Sequence, residues 1–226
     1  MKILNLYAGI GGNRKLWGDS HEITAIEYKP EIAKIYQDFF PNDNVIVADA
    51  HQYLLECFSE FDFIWSSPPC PTHSNLRKGI SMQAGAKAVF PDMKLYEEIL
   101  FLQGYFQGKY CVENVVSWYD PLIPPMTLSR HYYWANFVIS NKYSESAKIH
   151  LTNSTNNNSE NDEEQVARLE KELGYDLSNF GISRSKKRLL LRNCVEPEIG
   201  KHILNCAINS PSLFGEKITP QNVPLL

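Results

Sequence analysis

Short apolar runs and amphipathic stretches alternate regularly through the first 115 residues. Ile3-Leu4-Asn5-Leu6-Tyr7 is an apolar run that breaks at Ala8-Gly9-Ile10-Gly11-Gly12, which predicts a strand followed by a glycine turn. His21–Glu27 (HEITAIE) predicts a second strand. Pro30 then opens PEIAKIYQDFF, where Ile32, Ile35, Tyr36 and Phe39 recur at helical spacing behind a first-turn proline. Val45–Ala48 predicts a third strand ending at Asp49, residues 51–58 a short helix, and Phe61–Trp65 a fourth strand running into Ser66-Ser67-Pro68-Pro69-Cys70. Lys94–Gln107 predicts a helix and Lys109–Glu113 a fifth strand. Strand–helix alternation of this kind predicts an α/β protein with a doubly wound, mostly parallel sheet covered on both faces.

Beyond residue 116 the pattern changes. Tyr132–Ile139 is aromatic and β-branched, hence a strand. Residues 151–163 are Asn- and Ser-rich and predict a flexible loop. Residues 164–174 predict a helix capped by Gly174, and residues 184–206 two helical pieces divided near Pro197.

Composition narrows the function classes. A chain of 226 residues can bury a full core without disulfides or a structural metal. It has no apolar run of transmembrane length and opens on a strand, so the expectation is a cytoplasmic protein without a membrane partner. Cys57, Cys70, Cys111, Cys194 and Cys206 are odd in number and form no CxxC pair, which argues against zinc; no metal is expected. The net charge of −4 does not advertise nucleic-acid binding, but local basic clusters matter more than the total.

In a doubly wound sheet, ligands sit beyond the carboxyl ends of the strands. The first strand ends at the glycine turn, which lets the backbone come close to a ligand, although its spacing is not GxGxxG. The second ends at Glu27, suited to ribose hydroxyls, and the third at Asp49, suited to an adenine amino group. Together they favour a nucleoside cofactor. The fourth ends at Pro68-Pro69-Cys70 and the fifth at Glu113-Asn114-Val115, which would put a thiol and a carboxyl on one cleft, the parts of an enzyme.

At these positions the chain resembles the S-adenosylmethionine-dependent C5-cytosine DNA methyltransferases. The resemblance rests on LNLYAGIGG, AIEYKP, VADAH, SSPPC, VENV, SRHYYW and NCVEP, and the compact layout is similar to phage- or prophage-type members. It implies S-adenosyl-L-methionine as cofactor and double-stranded DNA as partner. Tyr7, Gly9, Gly11 and Gly12 would surround the methionine part, Glu27 the ribose and Asp49 the adenine. Pro68 would lie near cofactor and base. Cys70 would be the nucleophile, Glu113 would contact the flipped cytosine, Arg130 its carbonyl, and Asn193 and Val195 would return to the cofactor pocket.

The chain departs from the family pattern in four places. Arg130 stands where two arginines are usual, Arg192 precedes Asn193 where glycine is usual, residue 71 is Pro rather than Gln, and residues 140–180 are few for a target-recognition segment. The expected organisation is a catalytic and cofactor-binding core over 1–139, a small target-recognition region over 140–182 and C-terminal helices over 183–226, in a chain expected to be monomeric. Phosphate contacts are expected from Arg77 and Lys78, and from Arg184, Lys186, Lys187, Arg188 and Arg192, 5 basic residues in 9 positions. Two other readings stand beside this one: an RNA cytosine-C5 methyltransferase, and a non-catalytic DNA-binding subunit that needs a partner.

Overall fold

The computed structural model describes residues 1–75, 88–141 and 161–210. Its centre is a seven-stranded sheet in the order β3-β2-β1-β4-β5-β7-β6. The strands are β1 (Lys2–Leu6), β2 (Glu22–Glu27), β3 (Asn44–Val47), β4 (Phe63–Ser66), β5 (Lys109–Val115), β6 (Met126–Leu128) and β7 (His131–Ala135). The first five are parallel; β7 runs antiparallel to β5, and β6 antiparallel to β7.

Both faces are covered, which is why the central strands read as unbroken apolar runs. Ile3, Ile23, Phe63, Trp65 and Cys111 point to the face covered by α6 (Pro197–Asn209), through Ile199, Ile203 and Leu204. Leu4, Leu6, Ile26, Ile64 and Val112 point to the other, against α2 (Ala50–Cys57) and α3 (Lys94–Tyr105). The helix α1 (Pro30–Phe39) lays Tyr36 over Ala25. Its Ile32 and Ile35 join α4 (Asp162–Leu173) and α5 (Arg184–Arg192) in a third cluster around Ile10.

Most predicted elements fall where the pattern placed them, and the differences have local causes. The predicted strand to Ile139 stops at Ala135 because the side chain of Asn136 replaces it: Oδ1 accepts from the Tyr110 amide and Nδ2 donates to the Gly108 carbonyl. Strand β6 is not predicted at all. It is three residues long, follows a proline-rich stretch, and pairs with β7 across the tight Ser129-Arg130 turn. Gly174 ends α4 at φ 69°, as predicted. Of the predicted loop over 151–163, residues 151–160 lie outside the described residues.

Two returns from late in the chain hold the first loop. The Tyr175 hydroxyl donates to the Ile10 carbonyl, and Gly200 on α6 sits on the backbone of Asn13. A Cβ at Gly200 would stand 2.2 Å from the Asn13 oxygen, so Gly200→Ala forces α6 off the loop. Urea unfolding of that variant is expected to show a loss of about 1–3 kcal/mol. Gly104→Ala on α3, where a Cβ meets nothing within 4 Å, is expected to gain about 0.5–1 kcal/mol.

Candidate active site

The sheet order reverses between β1 and β4, and the loops leaving these two strands meet at that edge. In the first loop Tyr7, Gly9 and Gly11 all have positive φ, at 56°, 55° and 83°. For Tyr7 this conformation costs on the order of 1–2 kcal/mol. The glycines divide by role. A Cβ on Gly11 would meet the Phe40 ring at 2.4 Å, and one on Gly12 the Val195 carbonyl at 2.5 Å, so both serve close packing. Gly9 faces open space: nothing lies within 4 Å of a Cβ there.

Glu27 ties this loop to the end of β2, accepting from the Gly9 amide (3.1 Å) and from the Lys29 amide (2.9 Å). Asp49 caps α2 by accepting from the Gln52 amide at 3.0 Å. Each predicted acid therefore has a structural bond; Glu27 touches the open glycine, and Asp49 follows β3 at the same carboxyl end of the sheet.

The loop after β4 is anchored residue by residue. Asn114 Nδ2 donates to the Pro68 carbonyl at 2.9 Å, which joins the Pro-Pro-Cys segment to β5. The Cys70 carbonyl accepts from the amides of His73 (3.0 Å) and Ser74 (3.1 Å), which folds the following residues into a turn. Trp118 Nε1 donates to the Thr72 carbonyl, the Asp92 amide to Thr72 Oγ1, and His73 Nδ1 lies 2.6 Å from the Tyr119 hydroxyl. His73 is 1% exposed, and burial pushes its imidazole down, toward the neutral form. Of the stretch 71–75, Pro71 and Asn75 are exposed, so the inner residues build the loop rather than its surface.

Cys70 is partly exposed. Burial raises its thiol, and the Glu113 carboxylate raises it further, so the two predicted groups feel each other's charge. Glu113 is 7% exposed on β5, and His131 Nε2 lies 3.5 Å from its Oε1. Arg130 is exposed in the β6–β7 turn, and the pairing of Val115 with His131 sets it at the carboxyl end of β5. Its charge opposes the rise that burial imposes on the Glu196 carboxyl.

Asn193 is the exposed C-cap of α5, whereas Cys194 and Val195 reach Gly12. Burial pushes the Cys194 thiol up to about 12, which makes it an inert packing group. The structure thus brings Tyr7, the glycines, Glu27, Asp49, Pro68, Cys70, Glu113 and Arg130 to one edge of the sheet. From the late motif, Val195 approaches the loop through its backbone.

The basic cluster on α5 is largely paired within the chain. Arg184 meets Glu163 at 3.0 Å, Lys186 meets Glu31 at 3.0 Å, and Arg188 pairs with Asp162. Such exposed pairs contribute about 0–1 kcal/mol each and exchange readily with other anions. Lys187 lines a shallow groove between α4 and α5. Arg77 and Lys78 lie outside the described residues.

Sequence reasoning missed His131, His51 and Glu98. Glu98 had a signal: it lies on the helical stripe of Leu95, Ile99 and Leu102, where a charge is out of place unless it has buried partners. Among the described residues, no group of three or more His, Cys, Asp or Glu side chains could hold a metal, and no helix is long and apolar enough to cross a membrane.

The sheet order, with helices on both faces and an antiparallel pair at one side, is a fold shared with methyltransferases. A methyltransferase from Entamoeba histolytica, EhMeth, superposes with a TM-score of 0.52 at 11% identity over 92% of this chain and 98% of that one, a likeness of fold. A DNMT2 from Spodoptera frugiperda matches at 27% identity over 50% of this chain and 35% of that one, with a TM-score of 0.35. No curated protein matches the chain. Residues 1–98 match the C-5 cytosine-specific DNA methylase family. That segment, less than half of the chain, is similar to this family.

Proposed function

We propose that the protein transfers a methyl group from S-adenosylmethionine to C5 of cytosine in double-stranded DNA, through a covalent bond between Cys70 and C6 of a flipped-out base. The observation that carries the reading is the Asn114–Pro68 bond. It clamps the Cys70 loop to the strand that bears Glu113, at the point where the sheet order reverses.

The residues present fit the cofactor. Gly9 leaves room where a side chain would intrude, and the Glu27 and Asp49 carboxylates stand at the next two strand ends to accept from ribose and adenine. When bound, S-adenosylmethionine supplies an electrophilic methyl group.

Cytosine C5 is a poor nucleophile until C6 is attacked. The Cys70 thiol gives up its proton and its sulfur bonds C6, so the C5–C6 π pair becomes available at C5. Glu113, carrying a proton, donates to N3 and offsets the charge that grows on the ring. Arg130 offers the cytosine carbonyl a charge-assisted bond. C5 bonds the methyl carbon while the pair of the methyl–sulfur bond stays on the cofactor's sulfur, which would become a neutral thioether; the C5 proton then leaves to water, the electrons of that C–H bond restore the double bond, and the Cys70 sulfur departs from C6 with its bonding pair. Extracting the base from the duplex costs a few kcal/mol. Phosphate contacts from Arg77, Lys78, Arg184, Lys186, Lys187 and Arg188 would help offset that cost.

The test supplies purified protein with methyl-labelled S-adenosylmethionine and, in parallel, duplex DNA or tRNA, followed by bisulfite sequencing. The expected result is 5-methylcytosine at defined positions in duplex DNA. Label confined to tRNA would replace the DNA reading, and no label in either would return the chain to the role of a binding subunit.

A further inference from the structure

Glu98 is the most completely enclosed carboxylate at this edge, 1% exposed in the middle of α3. A carboxylate taken out of water persists only where hydrogen bonds replace the lost solvent. Glu98 draws its partners from three other elements. Oε1 accepts from the Tyr7 hydroxyl at 2.5 Å and lies 3.0 Å from Nδ1 of His51 on α2. Oε2 accepts from Ser66 Oγ, at the end of β4, at 2.6 Å. The far nitrogen of His51 is 3.4 Å from Glu97.

Two of these contacts bear on the reaction. Tyr7 opens the glycine loop in a left-handed conformation that a tyrosine does not adopt unaided, and its one polar atom is bonded to Glu98. Ser66 begins the Ser-Ser-Pro-Pro-Cys segment, four residues before Cys70. We propose that Glu98 is a positioning residue, whose buried carboxylate fixes the cofactor loop through Tyr7 and sets it against the nucleophile loop through Ser66. The inference rests on the reading that the glycine loop holds S-adenosylmethionine. The bond to Glu98 raises the His51 pKa most, burial and Lys94 oppose this, and the charges of Glu98 and Glu97 add to it.

Glu98→Gln keeps the shape and removes the charge. The measurement is KM and kcat for S-adenosylmethionine, with calorimetric binding, on the full chain well below its melting temperature. The expected result is KM and Kd raised roughly tenfold with kcat at saturation within about threefold, since a misplaced loop weakens binding before chemistry. Tyr7→Phe alone should weaken binding in the same direction, and the two changes together should cost less than the sum of the two, because Glu98→Gln weakens the contact that Tyr7→Phe removes. A merely structural role predicts the opposite split: kcat falls with the folded fraction while KM holds, and that result overturns the proposal. Wild-type protein that binds no S-adenosylmethionine overturns the pocket reading and this inference with it. Wild type that binds, with variants that match it, overturns the inference alone.

Discussion

Replacing Cys70 by serine is expected to lower the methylation rate on the order of 10⁴-fold or more, while duplex DNA and S-adenosylmethionine still bind. A thiol ionises near pH 8.5 in water, and an alcohol does so far above any working pH. The environment does not make Cys70 an activated thiolate in the free enzyme. Burial and Glu113 both raise its pKa. Its neutral form therefore dominates at neutral pH, and the thiolate fraction grows only as the pH climbs past that of a free cysteine. In the absence of DNA, iodoacetamide is expected to modify Cys70 more slowly at pH 8 than it modifies a free cysteine, read by mass spectrometry of the Cys70 peptide. Rapid alkylation at that pH would contradict the raised thiol. On the proposed mechanism, activation belongs to the complex with DNA, where the thiol meets C6 and Glu113 donates a proton toward N3. Full methylation by the serine variant would remove Cys70 from the chemistry.

Glu113→Gln is expected to move two observables in opposite directions. Methylation falls by about 10²–10³-fold, the scale for losing one preorganised donor to developing charge. Alkylation of Cys70 without DNA speeds up, because the negative charge that raised the thiol is gone. The sign follows from linkage: a nearby anion disfavours the thiolate, so its removal lowers the thiol pKa and increases the reactive fraction at fixed pH. Damage to the fold would slow methylation without that selective gain at Cys70. A variant in which alkylation also slows would show that Glu113 does not act on Cys70 through its charge.

The alternation of strands and helices, and the ends of those strands, were readable because a buried parallel sheet writes itself as apolar runs punctuated by glycine, proline and acids. The places of Cys70 after β4 and of Glu113 near the end of β5 were readable for the same reason. What a one-dimensional pattern lacks is the second partner of each contact. Gly9, Gly11 and Gly12 look alike in sequence, and only the approach of Phe40 and Val195 separates two packing glycines from an open one. His73 stands in a polar run that reads as surface, but its ring is turned inward to Tyr119. The α5 basic run reads as a free cationic face, whereas Glu31, Asp162 and Glu163 come to it from two other helices. Val195 matched the late motif, and it is its carbonyl, which no side-chain pattern records, that stands against Gly12.

The contacts that bring the late helices onto the first loop also set a schedule for the growing chain. Tyr175 reaches Ile10 across 165 positions, and Lys15 reaches the Gly174 carbonyl across 159. During synthesis the glycine turn leaves the ribosome at the outset, but the residues that press it into shape follow much later. At about 5–20 residues per second, that interval lasts on the order of ten seconds. The nascent sheet can form its first strands in that time. A finished glycine loop has to wait for the helices that close over it, so any ligand of that loop is captured only after α4 and α6 have docked.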